Sequence, residues 1–122
     1  MTTMPRRPTA YAKQRQFHRT PIRMSAEIHL GEAVVTATTR DLSEGGVGIE
    51  LGRSLPEGSE VTLGLFLVVD GVEEERVPPL WVKGRVAWCG ETDAGRHTAG
   101  VRFEVITDAQ KDWVRQVTGH LG

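Results

Sequence analysis

Residues 61–67 read Val61-Thr62-Leu63-Gly64-Leu65-Phe66-Leu67. Every second residue is a branched aliphatic. A period of two is the spacing of a β-strand that lays one face on a core. The same period recurs on both sides of this stretch. Upstream, Met24, Ala26, Ile28 and Leu30 alternate with Ser25, Glu27 and His29. Gly31-Glu32 can turn the chain, and Ala33 to Thr39 is rich in Val and Thr, as strands are. Val47, Ile49 and Leu51 form the next alternating run, after the polar, glycine-bearing turn Arg40 to Gly46. Leu55-Pro56-Glu57-Gly58 marks a further turn.

Downstream, Asp70-Gly71 is a hairpin signal. From Val72 to Cys89 the sequence predicts one long strand or two short ones. Pro78-Pro79 interrupts it and requires an edge or a bend there. Leu80, Val82, Val86 and Trp88 fall on one face by simple alternation, which puts Trp88 in the core and leaves Trp81 out of phase, exposed near a ligand or a partner. Gly90 to Arg96 is a polar loop, and Ala99, Val101, Phe103 and Val105 make the last strand. Only the tail reads as a helix. Thr107 and Gln110 have capping-box spacing, and Trp113, Val117 and Leu121 follow at i, i+4 and i+8, with Val114 beside them. Short antiparallel strands followed by one amphipathic helix predict an all-β domain: a small barrel with a C-terminal α-helix packed on it.

The chain has 122 residues, enough for one domain. Residues 1–14 are polar, aperiodic and contain Pro5 and Pro8; they predict a flexible basic N-terminal arm, with residues 15–122 as the folded domain. Lys and Arg total 15 against 16 Asp and Glu, a formal charge of −1. That balance argues against a partner that is a nucleic-acid polymer, which selects for a basic excess. Basic residues are nevertheless concentrated at the start: Arg6, Arg7, Lys13, Arg15, Arg19 and Arg23 precede the first acid, Glu27. Cys89 is the single cysteine, so no disulfide forms within the chain. No stretch has the roughly 20 apolar residues of a membrane span. A cytosolic protein without membrane insertion is the expectation. Cys89 and His97 have no companions at zinc-ligand spacing. Ser43 lacks a nucleophile-elbow frame, and no phosphate-cradling P-loop is present. The sequence therefore predicts neither a metal site nor a catalytic centre.

Two motifs carry chemistry. Arg15-Gln16-Phe17-His18-Arg19 is an R-x-x-x-R where the arm meets the first strand. Asp41-Leu42-Ser43-Glu44-Gly45-Gly46 is a D-x-S-x-x-G between the second and third. In this order they resemble the two signatures of the PilZ domain family. Pro21 after the second arginine, the turn Leu55 to Gly58, and Gly100-Val101-Arg102-Phe103 near the end resemble the family as well. The likeness runs from about Arg15 to Leu121. It implies a six-stranded antiparallel β-barrel with a C-terminal helix that binds the second messenger cyclic di-GMP on its outside, without chemical turnover or a cofactor. Arg15, Arg19, Asp41, Ser43 and Gly46 are the positions it assigns.

The residue types suit that ligand. A guanidinium is a planar, permanently charged fork that pairs with phosphate oxygens in parallel hydrogen bonds and matches guanine O6 and N7. The Asp41 carboxylate only accepts, which fits the N1-H and N2-H donors of guanine and makes it the expected point of base selectivity. Ser43 can add one hydrogen bond. Gly45 and Gly46 permit positive φ and a close approach of backbone to ligand, Gly45 being an extension of the motif on physical grounds. With no output domain in the sequence, signalling is expected to pass to an unidentified downstream protein through ordering of the arm. The alternative is a PilZ-like interaction module that no longer binds nucleotide.

Overall fold

The computed structural model describes residues 19–69, 71–74 and 76–119. The arm, Arg15 and Leu121 lie outside them. The elements are β1 (Thr20–Pro21), β2 (Ser25–Leu30), β3 (Ala33–Leu42), β4 (Gly46–Leu51), β5 (Glu60–Phe66), β6 (Val68–Val69), β7 (Val72–Glu73), β8 (Leu80–Glu91), β9 (His97–Phe103) and a helix, α1 (Asp108–Gly119). Six strands close on themselves in the order β3-β2-β5-β8-β9-β4 and back to β3, every pair antiparallel. β1 continues the line of β2 along β3. β6 and β7 form a separate two-stranded ribbon, with Gly71 in a turn just before β7.

The period-2 runs supply the inside of the barrel. Leu63 lies between Ile28 and Val82 in register, and Leu65 between Ala26 and Leu80. All of these are buried, with Val47, Ile49, Leu51, Val86, Ala99, Val101 and Phe103 completing the core. α1 begins where its capping box predicts. Thr107 Oγ1 accepts from the Gln110 amide at 3.1 Å, and the Gln110 side-chain oxygen accepts from the Thr107 amide at 2.8 Å. Trp113, Val114 and Val117 join the core, and the Trp113 indole donates to the Pro78 carbonyl at 2.7 Å. That bond fixes the Pro78-Pro79 bend against the helix. Among the described residues no helix is long and apolar enough to cross a membrane.

Three expectations change. β9 ends at Phe103, so Val105 is not in the last strand. It is 94% exposed and has φ +37, a conformation that costs an L-residue about 1–2 kcal/mol. Asp41 and Leu42 belong to β3, so the turn before β4 is confined to residues 43–45. Trp88 is not in the core: it is 41% exposed on the outer face of β8. The cause of the last two is the same and is decisive for the site.

Candidate functional site

Each of two strands carries one extra residue. In β3, Thr39 pairs with Ile49 and Asp41 with Gly48, so Arg40 is inserted between them. Thr39 and Leu42 both face inward, and Arg40 and Asp41 lie between them on the outer face. In β8, Val86 pairs with Val101 and Trp88 with Gly100, so Ala87 is the insertion. Val86 stays inside while Ala87 and Trp88 both face out. A bulge shifts the alternation by one and re-aims every side chain beyond it.

The two re-aimed side chains face each other. Asp41, Gly48, Gly100 and Trp88 stand in register on β3, β4, β9 and β8. They form one row across the outside of the barrel, about 14 Å along three strand spacings. The middle positions have no side chain. A Cβ on Gly48 would stand 2.9 Å from Asp41 Oδ1, and one on Gly100 would stand 2.6 Å from Trp88 Cε2. The carboxylate and the indole therefore lean over a floor that only glycine keeps open. In the next row Gly46 pairs with Arg102. A Cβ on Gly46 would collide with the Val101 carbonyl oxygen.

Arg19 completes this face. β1 pairs Thr20 with Leu42 and Pro21 with Asp41. Thr39 secures the irregular segment between β1 and β2: its Oγ1 accepts from the Met24 amide at 2.8 Å and donates to the Ile22 carbonyl at 2.5 Å. Arg19 thereby reaches Asp41 and donates to Oδ1 at 2.5 Å, with both side chains partly exposed. The first and second motifs thus meet in an ion pair that depends on the pairing of β1 with β3 and is not visible from spacing alone.

Ser43 is 2% exposed. Its Oγ accepts from the amides of Gly45 at 3.1 Å and Gly46 at 3.2 Å, so it closes the loop from within. Neither Gly45 nor Gly46 has positive φ; Gly46 is needed for close approach alone. Glu44 points the other way, to Arg115 on α1. Arg115 Nε donates to Oε2 at 2.8 Å, and this carboxylate raises the pKa of the guanidinium. Of the residues read from the motifs, Arg19, Asp41, Ser43, Gly45 and Gly46 come together. Gly48, Trp88 and Gly100 join them, although the sequence alone assigned none of the three to the site.

The sequence matches the PilZ domain over residues 13–119. The chain belongs to the PilZ domain family. Solved structures share the fold at low identity. The PilZ domain of YcgR from Escherichia coli, determined with c-di-GMP, superposes with a TM-score of 0.71 at 13% identity, over 88% of this chain and 91% of that one. The inhibitor of motility MotI/DgrA from Bacillus subtilis gives a TM-score of 0.71 at 16% identity over 88% of this chain, which spans 50% of that protein. The PilZ domain of CeSA from a cellulose-synthesizing bacterium gives 0.57 at 23% identity, over 85% and 97%. Comparison with characterised proteins by sequence finds no match.

Proposed function

We propose that this PilZ domain is a receptor for cyclic di-GMP and acts by binding rather than by catalysis. The observation that carries the reading is the row Asp41–Gly48–Gly100–Trp88 with Arg19 at its end. It offers a side-chain-free floor, an acceptor-only carboxylate for the donor edge of guanine, an aromatic wall and a guanidinium for phosphate. PilZ proteins solved with c-di-GMP share the fold. Arg15, outside the described residues, supplies the second guanidinium of the R-x-x-x-R motif in this reading. With Arg19 already paired to Asp41, binding orders the preceding residues 15–18 against the ligand and so alters the surface that a downstream protein meets.

Isothermal titration with cyclic di-GMP and cyclic di-AMP tests the proposal. Wild type binds cyclic di-GMP and prefers it to cyclic di-AMP. Arg19→Ala weakens binding by roughly 1.5–3 kcal/mol, about ten- to a hundredfold, the worth of a hydrogen bond to a charged group. Asp41→Ala weakens binding and narrows the preference, because a site built to accept the guanine donors rejects a base that lacks them. Absence of binding by the wild type would leave the domain as an interaction module.

A further inference from the structure

The four outward positions at the centre of this face are Gly46 and Gly48 on β4 and Gly100 and Arg102 on β9, joined in register as Gly46↔Arg102 and Gly48↔Gly100. Three of the four have no side chain. Arg102 is the fourth, exposed, and it rises alone from the floor between the Asp41 side and the Trp88 side. Gly46 lets it come close: a Cβ there would stand 3.2 Å from the Arg102 Cα.

Its charge surroundings are unfavourable. Arg85 on β8 lies directly opposite, and like charges at that cross-strand position repel. The nearby carboxylates are engaged elsewhere. Glu104 and Glu60 pair with Arg85 at 2.8 and 3.4 Å, Glu44 pairs with Arg115, and Asp41 pairs with Arg19. Among the described residues Arg102 has no ion-pair partner and no side-chain hydrogen bond. Among the described residues, then, no carboxylate answers the charge of this strand-borne guanidinium.

Resting on the cyclic di-GMP reading, we propose that Arg102 is a further ligand-binding residue that takes a phosphodiester oxygen of the bound dinucleotide. Arg19 approaches from the chain that enters the barrel, and Arg15 precedes it by four residues in sequence. Arg102 is held by β9 itself, so its contribution does not depend on that segment. It supplies charge and not base selectivity, which separates its role from that of Asp41.

Titration calorimetry of wild type, Arg102→Ala and Arg102→Lys with cyclic di-GMP at low and moderate salt, with thermal unfolding of each, tests this. Arg102→Ala should lose roughly ten- to a hundredfold in affinity, the range for a hydrogen bond to a charged group. The dependence of affinity on salt should become shallower in Arg102→Ala, since one charge contact is removed. Arg102→Lys should recover part of the loss at low salt, because an ammonium keeps the point charge without the fork. Unfolding should occur at about the same temperature, because among the described residues Arg102 makes no ion pair or side-chain hydrogen bond for the substitution to remove. Wild-type affinity and salt dependence in Arg102→Ala would overturn the inference and leave the receptor reading intact. Failure of the wild type itself to bind would instead remove the reading on which the inference rests.

Discussion

At the scale of single residues the site turns on Asp41, and Asp41 is already engaged by Arg19. The pair is partly exposed, and such pairs are worth about 0–1 kcal/mol. A hydrogen bond to a charged group contributes about 1.5–3 kcal/mol. On the proposed reading a guanine that shares or displaces the pair would gain more than it gives up, while the pair keeps the acceptor and the guanidinium in place. Trp88 is the aromatic counterpart on the far side of the glycine floor. Replacing it with Ala should weaken cyclic di-GMP binding by roughly 1–3 kcal/mol, about 5- to 150-fold, the range measured when an aromatic that stacks on a base is truncated. Trp81→Ala serves as the control. Trp81 is 43% exposed, but it lies over Gly64 on β5 with its ring edge to His29 and Phe66. Equal losses from the two variants in calorimetric titration would contradict the assignment.

At the scale of elements, the difference between what could be read in advance and what could not lies in the two bulges. Alternation from Met24 to Leu30 and from Val61 to Leu65 identified inward residues correctly, because those strands carry no insertion. The capping box at Thr107 and Gln110 placed the helix start for a local reason that two side chains suffice to encode. Trp88 was misassigned because counting by two from Leu80 through Val86 inverts after one inserted residue, and Ala87 has no composition that announces a bulge. Asp41 was read as part of a turn for the same reason: the insertion of Arg40 lets a polar residue face out within a strand. The motif residues were legible, but the floor between them was not, since Gly48 and Gly100 matter only through a register that joins β4 to β9. The helix offers an element-level test. Thr107→Ala removes the N-cap and should cost about 1 kcal/mol of stability, a fall of a few degrees in the unfolding temperature. Affinity for cyclic di-GMP should not change, because the cap lies away from the glycine row. A loss of affinity in that variant at temperatures where it is folded would mean that the helix start belongs to the binding face.

At the scale of the whole molecule, one long strand carries both exposed tryptophans of the barrel at separate places. Trp81 and Trp88 both face out from β8, seven residues apart, which is roughly 23 Å along an extended strand. Trp88 borders the proposed site, and Trp81 borders a cleft with Thr62, Lys83, Val105 and Gln110. The third tryptophan, Trp113, is buried in the helix interface. The three indole N-H groups thus report separately on the proposed site, the opposite region of the barrel and the core. A two-dimensional amide NMR titration of the full chain with cyclic di-GMP distinguishes these regions in one experiment. The Trp88 indole resonance and the amides of residues 15–19, 41–48 and 98–102 should shift on saturation, while the Trp81 and Trp113 indoles and the amides of residues 61–65 stay close to their starting positions. Shifts centred on Trp81 and Val105, or an unchanged spectrum at saturating cyclic di-GMP, would contradict the proposed site.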